Sequence, residues 1–299
     1  MSIRKLIVLG TSSQQPTRYR NHGAYLFLWN DEGLLFDPGE GTQRQFIFAN
    51  VSPTHVTRIF ISHFHGDHCL GVGSMLMRLN LDKVTHPIHC YFPADKKEYF
   101  DKLRFSTIYH ETIHVVEHPI EKPGLVHEDA TFKVYADFLS HGTTCLGYRV
   151  EEHDRVKFDK QKLKEHNIKG PNVRALEEEK MLQLGGKTIK LEDVTWVQKG
   201  KSIAVILDTA SNPKAVLLAK DVDLLLCEST YTQEHKDLAK KYLHLTAQDA
   251  ATLAKSAQAK KLVLTHFSAR YREASVFEIE ARKTFKESFA AEDLKEFGF

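Results

Sequence analysis

SHFHGDHCLG, residues 62–71, places His63, His65, Asp67 and His68 within six positions of one another. The preceding RIFIS alternates and is β-branched enough to form a buried strand, and the following CLGVGSMLMRLN has a helical pattern. The four side chains therefore stand on a strand-to-helix turn, where they can converge on a point instead of alternating across a sheet. Neutral imidazoles and a carboxylate are ligands that zinc prefers, at roughly 2.0–2.2 Å. Four such groups exceed what one tetrahedral ion with an open position takes from a single loop. A two-metal centre is the economical reading; a polar surface turn would account for a lone histidine but not for this cluster.

Further ligands must come from elsewhere in the chain. His141 follows FKVYADFLS, Asp208 follows SIAVIL and His266 follows KLVLT, so each comes directly after a strand-like run. Singly, a histidine after a strand is more often an ordinary loop residue. Ligands at the ends of several strands can nevertheless gather at one edge of a layered sheet, where α/β folds build their sites. The expected sorting is His63, His65 and His141 on one ion and Asp67, His68 and His266 on the other. Asp208 would lie between two ions about 3.5–4 Å apart.

Outward from the loop, strand candidates are LIVLG, AYLFLW, LLFD, HCYFP, HVVEH, FKVYADFL, TCLGYRVEE, SIAVILD, LLLCEST and KLVLTH. Helical patterns include QRQFIFAN, KKEYFDKLRFST, NPKAVLLAK, the pair flanking His244, and FEIEARKTF. Thr246 stands at the N-cap of the Ala-rich TAQDAATLAKSAQ. Early strands without intervening helices, then alternating strands and helices, predict an α/β fold. Its form is a four-layer αββα sandwich, two mixed sheets with helices outside.

The 299 residues are 42% hydrophobic, enough for one large core, and no Pro/Ser/Gly tract divides them. One domain over residues 1–299 is expected. The apolar run of MSIRKLIVLG is too short for a signal segment, and no stretch has the length of a membrane-spanning helix. Cys69, Cys90, Cys145 and Cys227 are scattered in mostly apolar settings without paired spacing, as reduced cysteines of a cytoplasmic protein would be. A formal net charge of +2 gives no global attraction for nucleic acid, so any such partner needs local basic groups. Seventeen histidines are a surplus that a metal-centred site explains better than chance.

Glu151 to Lys199 departs from this pattern. It is charge-dense, mixed in sign, and broken by turns at Gly170-Pro171 and Gly185-Gly186. By pattern alone it is either an excursion from the surface or a helix and hairpin packed on the domain.

The HxHxDH loop with separate His, Asp and His ligands resembles the metallo-β-lactamase superfamily. More narrowly, the chain is similar to the short form of the ribonuclease Z family, which processes tRNA 3′ ends. The segments that carry the likeness occur in order: PTRYRN (16–21), FDPGEGTQRQ (36–45), SHFHGDHCLG (62–71), SHGTTCLGYR (140–149), LDT (207–209), CEST (227–230), HLT (244–246) and HFSARY (266–271). They span essentially the whole chain. Pro38, Leu207, CEST and HLT depart from the commonest family residues, but none of these changes removes a group with catalytic chemistry.

The resemblance implies a zinc-dependent endoribonuclease that removes 3′ trailers from precursor tRNA, leaving a 3′-hydroxyl and a 5′-phosphate. Two zinc ions per subunit are implied, with manganese or cobalt suiting similar ligands. Asp67 would be the proton acceptor, and Glu228 paired with His244 the proton-donor side. The likeness also implies a homodimer and makes residues 151–199 a protruding tRNA-binding arm. Arg18, Arg20, Arg149 and Arg270 are candidate phosphate clamps, because a guanidinium meets phosphate oxygens bidentately. Ser268 and Thr209 could add hydroxyl contacts, and Tyr19, Tyr148 and Tyr271 could stack on unpaired bases. Gly39, Gly41 and Thr42 suggest a tight turn with close backbone approach, which the family places beside its active site. The competing readings are another hydrolase of the superfamily, acting on a small phosphodiester, sulfate ester or thioester, and a non-catalytic zinc-stabilised RNA-binding protein.

Overall fold

The computed structural model describes residues 4–299; the first three residues of the N-terminal segment lie outside the described residues. Strands β1 (Arg4–Gly10), β2 (Ala24–Trp29), β3 (Glu32–Phe36), β4 (Val56–Phe60), β5 (Ile88–Pro93) and β6 (Val115–Ile120) come first. Helices α1 (Thr42–Phe48), α2 (Gly66–Cys69), α3 (Gly71–Leu81) and α4 (Lys97–Arg104) are interleaved with them. A meander of β7 (Gly124–Glu128), β8 (Phe132–Leu139) and β9 (Cys145–Glu152) follows. After it come β10 (Arg155–Phe158), α5 (Lys160–Glu165), α6 (Pro171–Glu179), β11 (Met181–Leu184), β12 (Lys187–Lys190) and β13 (Thr195–Gln198). The chain closes with β14 (Ser202–Ile206), α7 (Pro213–Leu218), β15 (Leu224–Glu228), α8 (Lys236–Tyr242), α9 (Ala247–Ser256), β16 (Leu262–Thr265), α10 (Ser275–Arg282), β17 (Ser288–Ala290) and β18 (Glu296–Gly298).

Among the described residues two seven-stranded sheets form, ordered β18-β1-β2-β3-β4-β5-β6 and β17-β16-β15-β14-β9-β8-β7. Both are mixed: β3 to β6 run parallel and β1 to β3 antiparallel, while β14 to β17 run parallel and β7 to β9 antiparallel. Strand alternation explains the layering. In β1 and β2, Leu6, Val8, Tyr25, Phe27 and Trp29 face the second sheet, whereas Ile7, Leu9, Leu26 and Leu28 face the helices of the first half. A third apolar cluster joins Ala204, Ile206 and Leu225 to α7, α9 and α10. Each central strand is thus buried on both faces, and its sequence is a nearly continuous apolar run. The αββα sandwich expected from the sequence is the fold that forms.

Thr246 caps α9, where the Asp249 N–H donates to Thr246 Oγ1 at 3.1 Å. The short strands β17 and β18 were not among the sequence candidates. They carry few residues, and β18 exists because Phe297 packs into the inter-sheet core while the strand pairs with β1.

Between Glu152 and Ser202 the chain leaves both sheets. β10 pairs only with β13 and β11 only with β12. Ile168, Leu176, Ile189 and Val194 form a separate small core there. Gly170 has φ 52°, and Pro171 opens α6, the position where a fixed φ suits a helix start. At its base, buried Glu152 holds Arg4 at 2.6 Å and Arg155 at 2.7 Å.

Candidate metal centre

The metal loop is built by close backbone packing. After β4, the Ser62 carbonyl accepts from Leu146 N–H at 2.9 Å, which ties the loop to the second sheet. A Cβ added at Gly71 would lie 2.2 Å from the Gly39 carbonyl oxygen, and one at Gly39 would lie 2.4 Å from the Asp67 carbonyl oxygen. Glycine at both positions lets the 38–42 turn lie directly beneath the histidines. Gly41 has φ 82°, and Thr42 Oγ1 closes the turn on the Gly39 carbonyl at 2.7 Å.

Strand ends bring the separate ligands to this loop. His63 Nε2 lies 2.9 Å from His65 Nδ1, and His141 Nε2 lies 3.3 Å from that same nitrogen. On the other side His68 Nε2 is 3.1 Å from His266 Nε2, and Asp67 Oδ2 is 3.4 and 3.3 Å from these two nitrogens. Asp208 reaches both groups: its Oδ2 is 3.6 Å from His63, 3.7 Å from His141 and 3.4 Å from His68, and its Oδ1 is 3.2 Å from His266. Donors bonded at roughly 2.0–2.1 Å to one ion lie about 2.9–3.4 Å apart, so these sets have the spacing of cation ligands. Asp208 Oδ1 is buried and makes no hydrogen bond, as a carboxylate shared by cations would be. The residues therefore fit divalent metal.

The remote nitrogens of the imidazoles are also held. Asp37 accepts from His68 Nδ1 at 2.7 Å and from the Ser62 N–H at 2.6 Å, and Ser62 Oγ lies 2.9 Å from His63 Nδ1. Thr230 Oγ1 is 2.9 Å from His266 Nδ1, and the Gln14 N–H donates to Asp67 Oδ2 at 2.6 Å. Such partners fix ring orientation and tautomer in metal sites. Asp37, Ser62, Thr230 and Gln14 were missed by sequence reasoning; only the position of Asp37 directly after a strand-like run could have drawn attention to it. Asp37, Asp208 and His266 have φ of 43°, 40° and 60°, left-handed backbone that non-glycine residues adopt mainly where the surroundings enforce it.

Electrostatics follow from this crowding. Burial alone would raise the Asp67 carboxyl, but His68 and His266 outweigh it and hold the group far below the usual carboxylate range. Asp208 is likewise held down, against burial, by His266, His68 and His244. Desolvation and the neighbouring His68 keep His63 well below its ordinary value, which favours the neutral ligand form.

Glu228 and His244 meet beside these candidate ligands. Glu228 is fully buried at the end of β15, and its Oε1 lies 3.1 Å from His244 Nδ1. It also accepts from Thr209 N–H at 2.6 Å, Thr230 Oγ1 at 2.7 Å and Leu245 N–H at 3.2 Å. Burial lowers His244, but the Glu228 and Asp208 carboxylates raise it to about 9. Its ring faces a cavity of roughly 920 Å³ lined also by His65, Asp67, His141, Asp208, Tyr231, Tyr242, His266, Ser268 and Arg270.

Ser268 and Arg270 thus stand at this cavity, with Arg270 over the Tyr231 ring at 5.5 Å. Arg18, Tyr19, Arg20 and Tyr271 line an adjacent groove of roughly 520 Å³, and the Arg20 guanidinium donates to the Tyr271 carbonyl. Arg149 is placed elsewhere. Alternation along β9 turns Tyr148 into the inter-sheet core and Arg149 toward the helix layer, where it donates to the Leu218 and Lys220 carbonyls at 2.9 and 2.5 Å. It closes the end of α7 and is not a phosphate clamp at the cavity. Tyr148 is buried, its hydroxyl on the Ile61 carbonyl at 2.8 Å, so it cannot stack on a base. Thr209 is also buried and spends its hydroxyl on the Ala210 carbonyl at 2.8 Å. Arg149→Ala should therefore lower thermal stability while leaving kcat on a phosphodiester substrate unchanged; a catalytic loss in folded protein would contradict this placement.

The chain is similar to known proteins over its whole length. Residues 20–156 match the Metallo-beta-lactamase superfamily. The ribonuclease Z of Protochlamydia amoebophila is 60% identical over 299 residues, covering 100% of this chain and 98% of its own. That of Chlamydia caviae is also 60% identical over the same span. The crystal structure of the short form of human tRNase Z superposes with a TM-score of 0.72 at 27% identity, covering 98% of each chain. Fold and site together define a hydrolase of the metallo-β-lactamase superfamily. Within that superfamily, full-length identity of this order places the chain in the ribonuclease Z family.

Proposed function

We infer that this member of the ribonuclease Z family is a metal-dependent endoribonuclease of tRNA 3′-end processing. We propose that it removes the trailer from precursor tRNA to leave a 3′-hydroxyl and a 5′-phosphate. The observation that carries the reading is the pair of donor sets that Asp208 approaches within 3.7 Å on the wall of a polar cavity, in a chain 60% identical to a named ribonuclease Z. His63, His65 and His141 would hold one zinc ion and Asp67, His68 and His266 a second, with Asp208, 3.4 Å from His68 and 3.2 Å from His266 as well, common to both. When bound, such cations acidify a water and neutralise charge at the phosphate.

The chain's own groups then divide the proton work. Asp67, fixed by the Gln14 N–H, accepts the proton of the attacking water. As the P–O3′ bond breaks, His244 gives its proton to the departing 3′ oxygen, and Glu228 keeps that imidazole charged. Arg270 and Ser268 stand where phosphate oxygens would be held, and Arg18 and Arg20 line the path of the 3′ end. The segment at 151–199 serves as a tRNA-binding arm, a role supported by its separate core and its exposed Trp196 and Met181. Exposed Ile47, Phe48, Leu81 and Phe105 on or beside the outer helices of the first half support pairing of two copies into a homodimer. Among the described residues no helix is long and apolar enough to cross a membrane. Four buried free cysteines support a cytoplasmic site of action.

The direct test is end-labelled precursor tRNA with and without chelator. A single cut after the discriminator base, lost on chelation and restored by zinc, is the expected result; no cut there, alongside hydrolysis of small esters, would favour another hydrolase of the superfamily. His244→Ala should lower kcat about 10²–10⁴-fold. Because His244 donates in its protonated form, wild-type kcat should fall as pH rises through about 9, or somewhat below where cations lower it. A variant that retains that alkaline limb would show that His244 is not its source.

A further inference from the structure

The loop between β1 and β2 closes on itself at a narrow neck, where the Thr11 and Ser12 N–H groups donate to the Asn21 carbonyl at 3.1 and 2.9 Å. Its first limb is held by partners of its own. Ser13 N–H donates to the Phe267 carbonyl at 3.1 Å and Ser12 Oγ to the Gln15 carbonyl at 2.7 Å, which sets the Gln14 N–H against Asp67. The second limb is a small turn in which Thr17 N–H donates to the Arg20 carbonyl at 2.8 Å and Arg20 N–H to Thr17 Oγ1 at 3.0 Å. This turn carries Arg18, Tyr19 and Arg20 to the groove beside the catalytic cavity. Asp293 stands where the second limb returns to the neck. Its Oδ2 accepts from the Asn21 N–H at 2.7 Å and its Oδ1 from Thr11 Oγ1 at 2.8 Å.

We propose that Asp293 is a positioning residue for the RNA: by joining both sides of the neck, it fixes where the 17–20 turn presents Arg18 and Arg20. This rests on the reading of those two arginines as contacts of the RNA. The backbone around Asp293 is itself seated on both sheets. Leu294 N–H donates to the Val8 carbonyl at 2.6 Å, Val8 N–H to the Lys295 carbonyl at 3.0 Å, and Ala291 N–H to the Leu264 carbonyl at 2.8 Å. Val8 belongs to β1 and Leu264 to β16, one strand from each sheet. The carboxylate thus stands on a fixed frame, 272 positions along the chain from the Asn21 amide that it holds. Small displacements of a group that places substrate are costly, which gives such a support its effect.

The Asp293 charge also attracts the Arg20 guanidinium, an influence separate from the two hydrogen bonds. Asparagine tells them apart. Its Oδ1 can take the Asn21 N–H while its Nδ2 donates to Thr11 Oγ1, since a hydroxyl oxygen accepts as well as donates. Burial already pushes the Asp293 carboxyl up to about 6, so a neutral group is tolerated there. Alanine removes both bonds and takes from the Asn21 N–H this acceptor. Were the carboxylate only an ordinary tie of the C-terminal segment, its loss would weaken the fold and lower activity on every substrate alike.

The test compares full-length wild type, Asp293→Ala and Asp293→Asn on precursor tRNA and on a small phosphodiester, together with amide hydrogen exchange across residues 11–21 without RNA. Asp293→Ala should raise KM for precursor tRNA roughly 10-fold with little change in kcat, and hydrolysis of the small substrate should stay within about 2-fold of wild type. The Asn21 amide should exchange about 10-fold faster or more. Asp293→Asn should restore both values. If Asp293→Ala does not fold, Thr11→Val removes one of the two bonds and carries the same expectations at smaller size. An unchanged KM in Asp293→Ala, equal losses on both substrates, or an asparagine variant as impaired as the alanine one would overturn the role. Exchange needs no substrate, so wild-type exchange at Asn21 in Asp293→Ala overturns it even where wild type leaves precursor tRNA uncut, the outcome that removes the ribonuclease reading itself.

Discussion

Asp208→Asn should strip the chain of metal and of RNA cleavage together. The carboxylate lies within 3.7 Å of four imidazoles from both donor sets, and its Oδ1 makes no hydrogen bond. Removing its charge leaves each set without the group that joins it to the other. Asparagine is the informative replacement because Asp208 has φ 40°, which asparagine tolerates and alanine resists. A loss on the order of 10²–10³-fold in kcat or more is expected, the scale for removing a group that stabilises transition-state charge. Elemental analysis should show metal content reduced in parallel. Full metal content in an inactive Asp208→Asn protein would remove the bridging role and leave Asp208 with another function.

Replacing residues 160–193 by a short flexible linker should separate recognition from chemistry. The deletion removes α5, α6 and the β11–β12 pair and keeps β10 and β13, so the three main apolar clusters keep their members. Hydrolysis of a small phosphodiester should be nearly unchanged. Cleavage of precursor tRNA should fall on the order of 10²-fold in kcat/KM, through loss of several phosphate contacts, and the slope of log kcat/KM against log salt should become shallower. Equal losses on both substrates would mean that the segment supports the fold and not the RNA.

Much of the architecture was legible because it rests on local periodicity. RIFIS before the loop and CLGVGSMLMRLN after it fixed a strand-to-helix turn, and the order of apolar runs implied two sheets with outer helices. His141, Asp208 and His266 were legible as strand-end residues, since parallel strands deliver their ends to one edge. Arg149 and Tyr148 were not. Tyr148-Arg149-Val150-Glu151 alternates apolar and charged along β9, which separates its two faces but does not say which layer each face meets. Asp37 was overlooked because a strand-end aspartate looks the same whether it orients an imidazole or caps a turn.

The amino-acid sequence alone therefore determined most of the central strands and helices, the layered class, the candidate metal-binding residues and the family. Each depends on short-range spacing or on residue identity. Tertiary structure alone decided which nitrogens lie about 3 Å apart and that Glu228 meets His244 across sixteen positions. Those contacts depend on how sheets twist and stack, and side chains distant along the chain carry no local signal of meeting.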